Sequence, residues 1–370
     1  MNTDITIVGG GLSGLLVAYR LAGQGIDFKL IEANSKMGGR IVSIPTGNTE
    51  TYDPEGPAID LGPSWFWPDQ PHIAALIEEL GLSEYIYSQE LSAGCSGNAV
   101  MEYSDGRIVS GHAGSSMAGS YRLSGGMYHL VHRLLDAIPA DAIITQSRVT
   151  TVESESTDAV TVVIDKEKNA SVASQQVVLA LPPRVVAETI VFEPPLSADY
   201  TAALLSVPTW MAGHAKFVAV YEEPFWQDRG LSGDGFSQRG PLVEIHNASP
   251  NTGGPYALFG FVGVPAIQRE NQLAQIKDAA VEQLTRLFGE NAGKPVSVHL
   301  KDWAFEPLTA VETDQHSPGM HAPGGLGLST VPGHRIVWAG TETASAYNGY
   351  LDGAVEAGER AAELVIKTVQ

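Results

Sequence analysis

Residues 5–8, ITIV, form a short apolar run that breaks at once into Gly9-Gly10-Gly11-Leu12-Ser13-Gly14. Residues 15–22 then carry apolar side chains at helical spacing and end near Gly25, and residues 28–31 return to a strand pattern that stops on Glu32. A buried strand, a G-x-G-x-x-G turn, a helix, a second strand and an acid, in that order, specify a dinucleotide-binding unit. Gly9 permits the tight turn, Gly11 lets the backbone approach a pyrophosphate, and Gly14 lets the helix pack close to the sheet. Leu12 and Ser13 open that helix, whose N-terminus offers positive potential to phosphate. Glu32, followed by Ala33, lies about 20 residues after the turn, where an acid accepts hydrogen bonds from a ribose 2′-OH. A carboxylate there would repel a 2′-phosphate, so NADP is disfavoured, while NAD and FAD stay open.

The next segment separates those two. Lys36-Met37-Gly38-Gly39-Arg40 follows the acid closely, and residues 58–65 read AIDLGPSW. Gly38 and Gly39 admit close backbone approach, and the rigid donor fork of Arg40 suits phosphate or flavin oxygens. A glycine pair and an arginine just past the ribose acid resemble the extended FAD signature of the glutathione-reductase-like flavoproteins. At the other end, residues 336–339 read as a strand, Gly340-Thr341-Glu342-Thr343 as a turn, and residues 350–362 as a helix. Ala354, Ala357, Gly358 and Ala361 recur at three to four residues, so another element can pack closely on that face.

The stretch AGTETASAYNGYLDGAVEAGERAA resembles the C-terminal FAD motif of the flavin-dependent monoamine and polyamine oxidases. GGGLSG, GGR, DLGPSW, VVLALPP at residues 177–183, VFEPPL and AKFVAVYEEPFW at residues 215–226 resemble the same family in the same order. The resemblance spans nearly the whole chain. It implies an α/β fold, α+β in the substrate part, with a Rossmann-like FAD-binding domain assembled from separated segments. Residues 1–82, 125–205 and 306–370 would form that domain. Residues 83–124 and 206–305 would form a smaller, sheet-based substrate domain. By the same resemblance, Gly62, Pro63, Ser64, Trp65, Val149, Gly340, Glu342, Tyr350, Leu351 and Ala354 join the turn residues as cofactor contacts. Trp65 takes the flavin-proximal aromatic position, and the backbone of Val149 meets adenine.

In that family FAD takes a hydride equivalent from the carbon next to an amine, and oxygen returns the flavin to its oxidised state with release of hydrogen peroxide. Lys216 sits in the alternating strand HAKFVAVY, sharing a face with Val218 and Val220, where a lysine is costly unless a partner or water meets it. Its distance from PFW matches the family lysine that holds a water beside the reactive flavin nitrogen. Tyr350 matches a tyrosine over the flavin, one of two aromatics that cage the substrate amine. Counting from Trp303 puts the second cage position on Thr313 or near it. The same count places Glu312 where some monoamine oxidases carry the cysteine that links FAD covalently, so non-covalent FAD is expected.

Glu244 and His246 share a strand face and are candidates for the pocket wall. Arg122, Arg239 and Arg269 are candidates for a substrate carboxylate. His316 and His321 have no tight metal-ligand spacing, and no metal is expected. Residues 84–125 are short and Ser/Gly-rich where family members carry a sizeable helical insert. The pocket would then be open, screened by residues 228–239, or completed by a second subunit, so a homodimer is one option. The net charge of −20 argues against nucleic acid. No apolar stretch reaches the roughly 18 residues of a membrane span. A single cysteine and no leader pattern point to the cytoplasm. The expected reaction is oxidation of an amine or amino acid by oxygen. A flavin dehydrogenase or desaturase using another acceptor, and a flavin-binding scaffold without catalysis, are the alternatives.

Overall fold

A computed structural model describes residues 1–46, 52–54, 56–111, 116–154, 159–165, 170–251, 253–316, 328–332 and 334–370. The opening unit forms as β1 (Asn2–Val8), α1 (Leu12–Gly23) and β2 (Phe28–Ile31). β1 pairs in parallel with β2 and with Ala170–Leu179. The sheet continues through Val160–Ile164, Val149–Glu153 and Val191–Glu193 on one side and Ile143–Ile144 on the other, and Ile336–Trp338 also pairs with Ala170–Leu179. Because β1 is covered on both faces, Ile5 and Ile7 are fully buried, as a central parallel strand requires.

The small-residue face of Leu351–Val369 meets α1. A Cβ at Gly358 would stand 3.0 Å from the Ser13 carbonyl oxygen and 3.2 Å from a Leu16 methyl, so that helix crossing depends on small side chains. Ala357 and Ala361 are fully buried beside it, and Ala361 belongs to a core shared with Leu15, Leu16 and Leu130.

A second sheet has the order Ser297–Asp302, Ala215–Tyr221, Tyr256–Val262, Leu242–Asn247, Leu231–Ser237, Asn98–Glu102 and Ile108–Gly111. One face of Ala215–Tyr221 presents Ala215, Phe217, Ala219 and Tyr221 to the core under the helix Leu273–Phe288. The other presents Val218 and Val220 to Ile59, Leu61 and Phe259, joining this sheet to the loop that carries DLGPSW. The short Ser/Gly-rich stretch therefore supplies the last two strands of this sheet, Asn98–Glu102 and, at its edge, Ile108–Gly111.

Residues 228–239, expected to screen the pocket, instead build the strand Leu231–Ser237. They are held in the sheet by pairing with Asn98–Glu102 and Leu242–Asn247 and do not line the cavity described below. A buried ion pair, Arg184 to Asp314 at 2.6 Å, ties the helix Pro183–Thr189 to the short helix Glu312–Gln315. Replacing Arg184 by methionine leaves Asp314 charged and buried, so urea unfolding is expected to show a loss of about 3 kcal/mol. Among the described residues no helix is long and apolar enough to cross a membrane.

Candidate active site

The main cavity, about 420 Å³, runs from the Gly9–Ser13 turn to the Lys216 strand. At its first end the chain leaves β1 through Gly9, whose φ of +104° and contact with the Ala180 carbonyl exclude a side chain. Gly11 caps α1, and a Cβ there would meet no atom within 4 Å: it faces open space in the cavity wall. Gly14 does not line the cavity. Its Cβ would lie 2.0 Å from the Gly9 carbonyl oxygen, so it serves the close packing of turn on helix. Gly38 donates its N–H to the Gly10 carbonyl oxygen at 2.8 Å, docking the second glycine pair on the first.

Glu32 accepts the Gly10 N–H on Oε2 and the Asn34 N–H on Oε1, both at 2.7 Å. Its carboxylate is thereby fixed at the cavity wall beside Ala33, with acceptor capacity left for a ligand hydroxyl. Arg148 and Val149 line the same end.

Toward the middle lie Gly39, Arg40, Gly62, Pro63, Ser64 and Trp65, with Leu351 and Ala354 from the start of the C-terminal helix. Gly340 and Glu342 stand just behind this wall. A Cβ at Gly340 would be 2.5 Å from the Leu181 carbonyl oxygen. Glu342, with a side chain only 1% exposed, pairs through Oε1 with Arg40 at 2.6 Å, while its buried Oε2 has no hydrogen-bond partner among the described residues. Open space at Gly11, a held acidic acceptor and an orphaned buried oxygen beside an arginine together fit an elongated ligand with phosphates and hydroxyls.

The far end centres on Lys216. It is 5% exposed, and Nζ donates to Ser64 Oγ at 2.6 Å and to the Gly62 carbonyl oxygen at 3.2 Å. The Phe259 ring centroid is 4.3 Å from Nζ and that of Trp65 is 5.5 Å away. Burial pushes its pKa down to about 7, the Arg122 charge acts in the same direction, and buried Asp60 opposes them. As a neutral amine, Lys216 gives both hydrogens to Ser64 and Gly62 and keeps its lone pair. The shift also couples to stability. The unfolded chain holds this proton up to the ordinary lysine value of 10.5, whereas the folded chain releases it near 7. Between those values the unfolded state binds more protons, so stability rises with pH. Relative to Lys216→Met, the wild type is expected to gain about 1.4 kcal/mol per pH unit there, read by urea unfolding at two pH values.

Trp303, Lys301, Glu306, Phe261, His214, Trp210 and Tyr350 complete this end. Trp303 donates its indole N–H to the Leu61 carbonyl oxygen at 3.1 Å, and Lys301 pairs with Glu306 at 2.6 Å. Trp210 stacks on Tyr350, with centroids 6.1 Å apart and planes at 26°.

Several expectations need correction. Thr313 and Glu312 are exposed on a helix anchored by Asp314, outside the cavity lining. Glu244 and His246 also lie outside the lining. His246 is fully buried, with Nδ1 3.3 Å from Asp234 and Nε2 2.9 Å from Glu244. Neither Arg122, Arg239 nor Arg269 reaches the cavity. Arg269 is bound to Asp302 and to two carbonyls, and Arg122 donates to the carbonyls of Ala248 and Ser249. His316 is exposed and outside the lining, and His321 falls outside the described residues. No group of three or more metal-binding side chains occurs among the described residues.

The chain matches the family model described as flavin containing amine oxidoreductase over residues 85–366, and an NAD(P)-binding Rossmann-like domain over residues 7–80. It therefore belongs to the flavin-containing amine oxidoreductases, and is an FAD-dependent amine oxidase. It is 24% identical to a probable flavin-containing monoamine oxidase A of Dictyostelium discoideum, over 96% of each chain. It is 25% identical to a putrescine oxidase of Kocuria rosea, over 99% of this chain and 95% of that protein. Among solved structures, a putrescine oxidase bound to putrescine superposes with a TM-score of 0.80 at 21% identity over 99% of both chains. A cyclohexylamine oxidase from Brevibacterium oxydans gives 0.81 at 19% identity over 100% of both. These last two are likenesses of fold.

Proposed function

We propose that the chain oxidises a monoamine with an apolar body, with oxygen as the final electron acceptor. The observation that carries this reading is a buried, hydrogen-bonded Lys216 at one end of a cavity whose other end is a glycine turn with open space at Gly11. Residues 9–14 would hold the pyrophosphate, with Glu32, Ala33 and Val149 around the adenosine. Gly38, Gly39, Arg40, Gly340 and Glu342 would meet or support the middle of the dinucleotide. Gly62, Pro63, Ser64, Trp65, Tyr350, Leu351 and Ala354 would surround the ring end, and FAD would be held non-covalently. When bound, FAD would accept a hydride equivalent from the carbon next to the amine and pass the electrons to oxygen, giving hydrogen peroxide.

The protein's own part is to bind, orient and dry the substrate. Trp65, Trp210, Trp303, Phe261 and Tyr350 supply apolar walls that exclude water. The free lone pair of Lys216 can accept a proton or orient a water at Nζ. Of the cavity's described carboxylates, Glu32 stands at the glycine-turn end and Glu306 is paired with Lys301, so none at the Lys216 end is set aside for a second ammonium. With the three candidate arginines elsewhere, a substrate carboxylate also finds little support. A monoamine is thus favoured over a diamine or an amino acid.

Measuring oxygen uptake and peroxide together during turnover of the best amine tests the acceptor. One peroxide per oxygen consumed is expected. Turnover that needs an added dye and yields no peroxide would remove oxygen from the proposal.

A further inference from the structure

The chain between the helix Ala198–Ser206 and the strand Ala215–Tyr221 turns at Met211, which adopts a φ of 58°. That turn leaves Trp210, just before it, half-buried in the cavity wall. Its ring faces Tyr350. The opposite segment is shaped to receive it. Gly349 has a φ of +87°, and a Cβ there would lie 2.4 Å from Trp210 Cβ and 2.9 Å from Cγ, so only glycine leaves room for the indole. Tyr350 is fixed on another side by Tyr347, edge-on at 6.0 Å, whose hydroxyl donates to Asp69 at 2.8 Å.

An amine arriving as an ammonium ion needs something to meet its charge. Of the cavity's described carboxylates, Glu32 lies at the other end and Glu306 is paired with Lys301, which leaves aromatic faces as the attractive surface beside Lys216. Indole has the strongest such face of the three aromatic side chains. Thr313, at the position counted from the sequence, is exposed and offers none.

We propose that Trp210 is a specificity-determining residue that, with Tyr350, receives the substrate's nitrogen through its π face and does the work expected of position 313. The proposal rests on the amine-oxidation reading above. It places this recognition surface in the turn before the Lys216 strand, so one short segment presents both the aromatic face and the buried lysine.

The test uses 2-phenylpropan-2-amine, which has no hydrogen on the carbon bearing nitrogen and so binds without being oxidised. Its uncharged counterpart, 2-phenylpropan-2-ol, is the control. Dissociation constants for both come from perturbation of the flavin visible spectrum in the holoprotein, for the wild type and for Trp210→Phe, Trp210→Leu and Trp210→Ala. Loss of the indole is expected to weaken the amine on the order of 10-fold in the Leu and Ala variants, with Phe intermediate. The alcohol should change much less. With a substrate amine, KM should rise more than the limiting rate falls. Amine affinity equal to wild type in the Leu variant would overturn the proposal. So would equal weakening of amine and alcohol, which would make Trp210 a plain apolar wall. If the Ala variant loses FAD, the Phe and Leu variants decide. If no amine reduces the wild-type flavin, the oxidation reading fails while the amine-to-alcohol comparison still judges Trp210.

Discussion

Lys216→Met is expected to slow reduction of the bound flavin by amine by about 100-fold or more, the scale on which a positioned acid–base group contributes. Methionine keeps the length and fills the apolar niche between Phe259 and Trp65, but it cannot give hydrogens to Ser64 and Gly62 or keep a basic lone pair. The wild-type rate should rise as pH increases through about 7, because the lowered pKa leaves Lys216 neutral above that value. The variant should lack this limb while keeping any limb due to the substrate amine. Rapid-mixing measurements across pH 6 to 9, roughly one to two units either side of the transition, read both features. An unchanged rate would show that Lys216 does not act on the substrate.

Gly11→Ala has the second large effect, and here fold and function separate. A methyl at Gly11 meets nothing in the protein, and its φ of −76° suits any residue, so folding should be unaffected. The methyl points instead at the place assigned to the pyrophosphate. Overpacking one carbon against a close-fitting ligand costs about 1–3 kcal/mol, so FAD should bind roughly 10- to 100-fold more weakly. Titrating the apoprotein with FAD and following flavin fluorescence gives the constant. Gly14→Ala is the contrast: its clash is with the protein's own Gly9 carbonyl, so it should damage stability as well. Wild-type FAD affinity in Gly11→Ala would move the phosphates elsewhere.

What could be read from the chain was whatever is encoded locally. Residues 5–8 and 28–31 match β1 and β2 within a few residues, and Leu351–Val369 extends the helix read from residue 350 onward. These segments carry their periodicity and glycines in sequence order, so backbone chemistry alone specifies them. Lys216 was legible for another reason: a charged residue in an alternating apolar strand needs an explanation, and the strand buries it at the cavity.

Trp210 was not legible. Its relation to Tyr350 spans 140 positions and depends on the turn at Met211 and on the missing side chain of Gly349. The only local signal was an indole in a loop shortly before that lysine strand. Counting forward from Trp303 failed because the chain enters the helix Glu312–Gln315, whose orientation is set by Asp314 binding Arg184, a contact no local pattern announces. The arginines misled for the same reason. Arg122 and Arg269 are buried to satisfy backbone carbonyls and, for Arg269, Asp302, and a sequence shows the charge but not its partner.

The claim that joins these observations is that the cavity brings an amine to FAD beside Lys216. Mixing the holoprotein with primary monoamines under anaerobic conditions, and following the flavin's visible absorption, tests it most directly. The account predicts bleaching by an apolar monoamine, with the matching aldehyde or ketone recovered after hydrolysis and little response to diamines or amino acids. A flavin that dithionite reduces but no amine bleaches would contradict it.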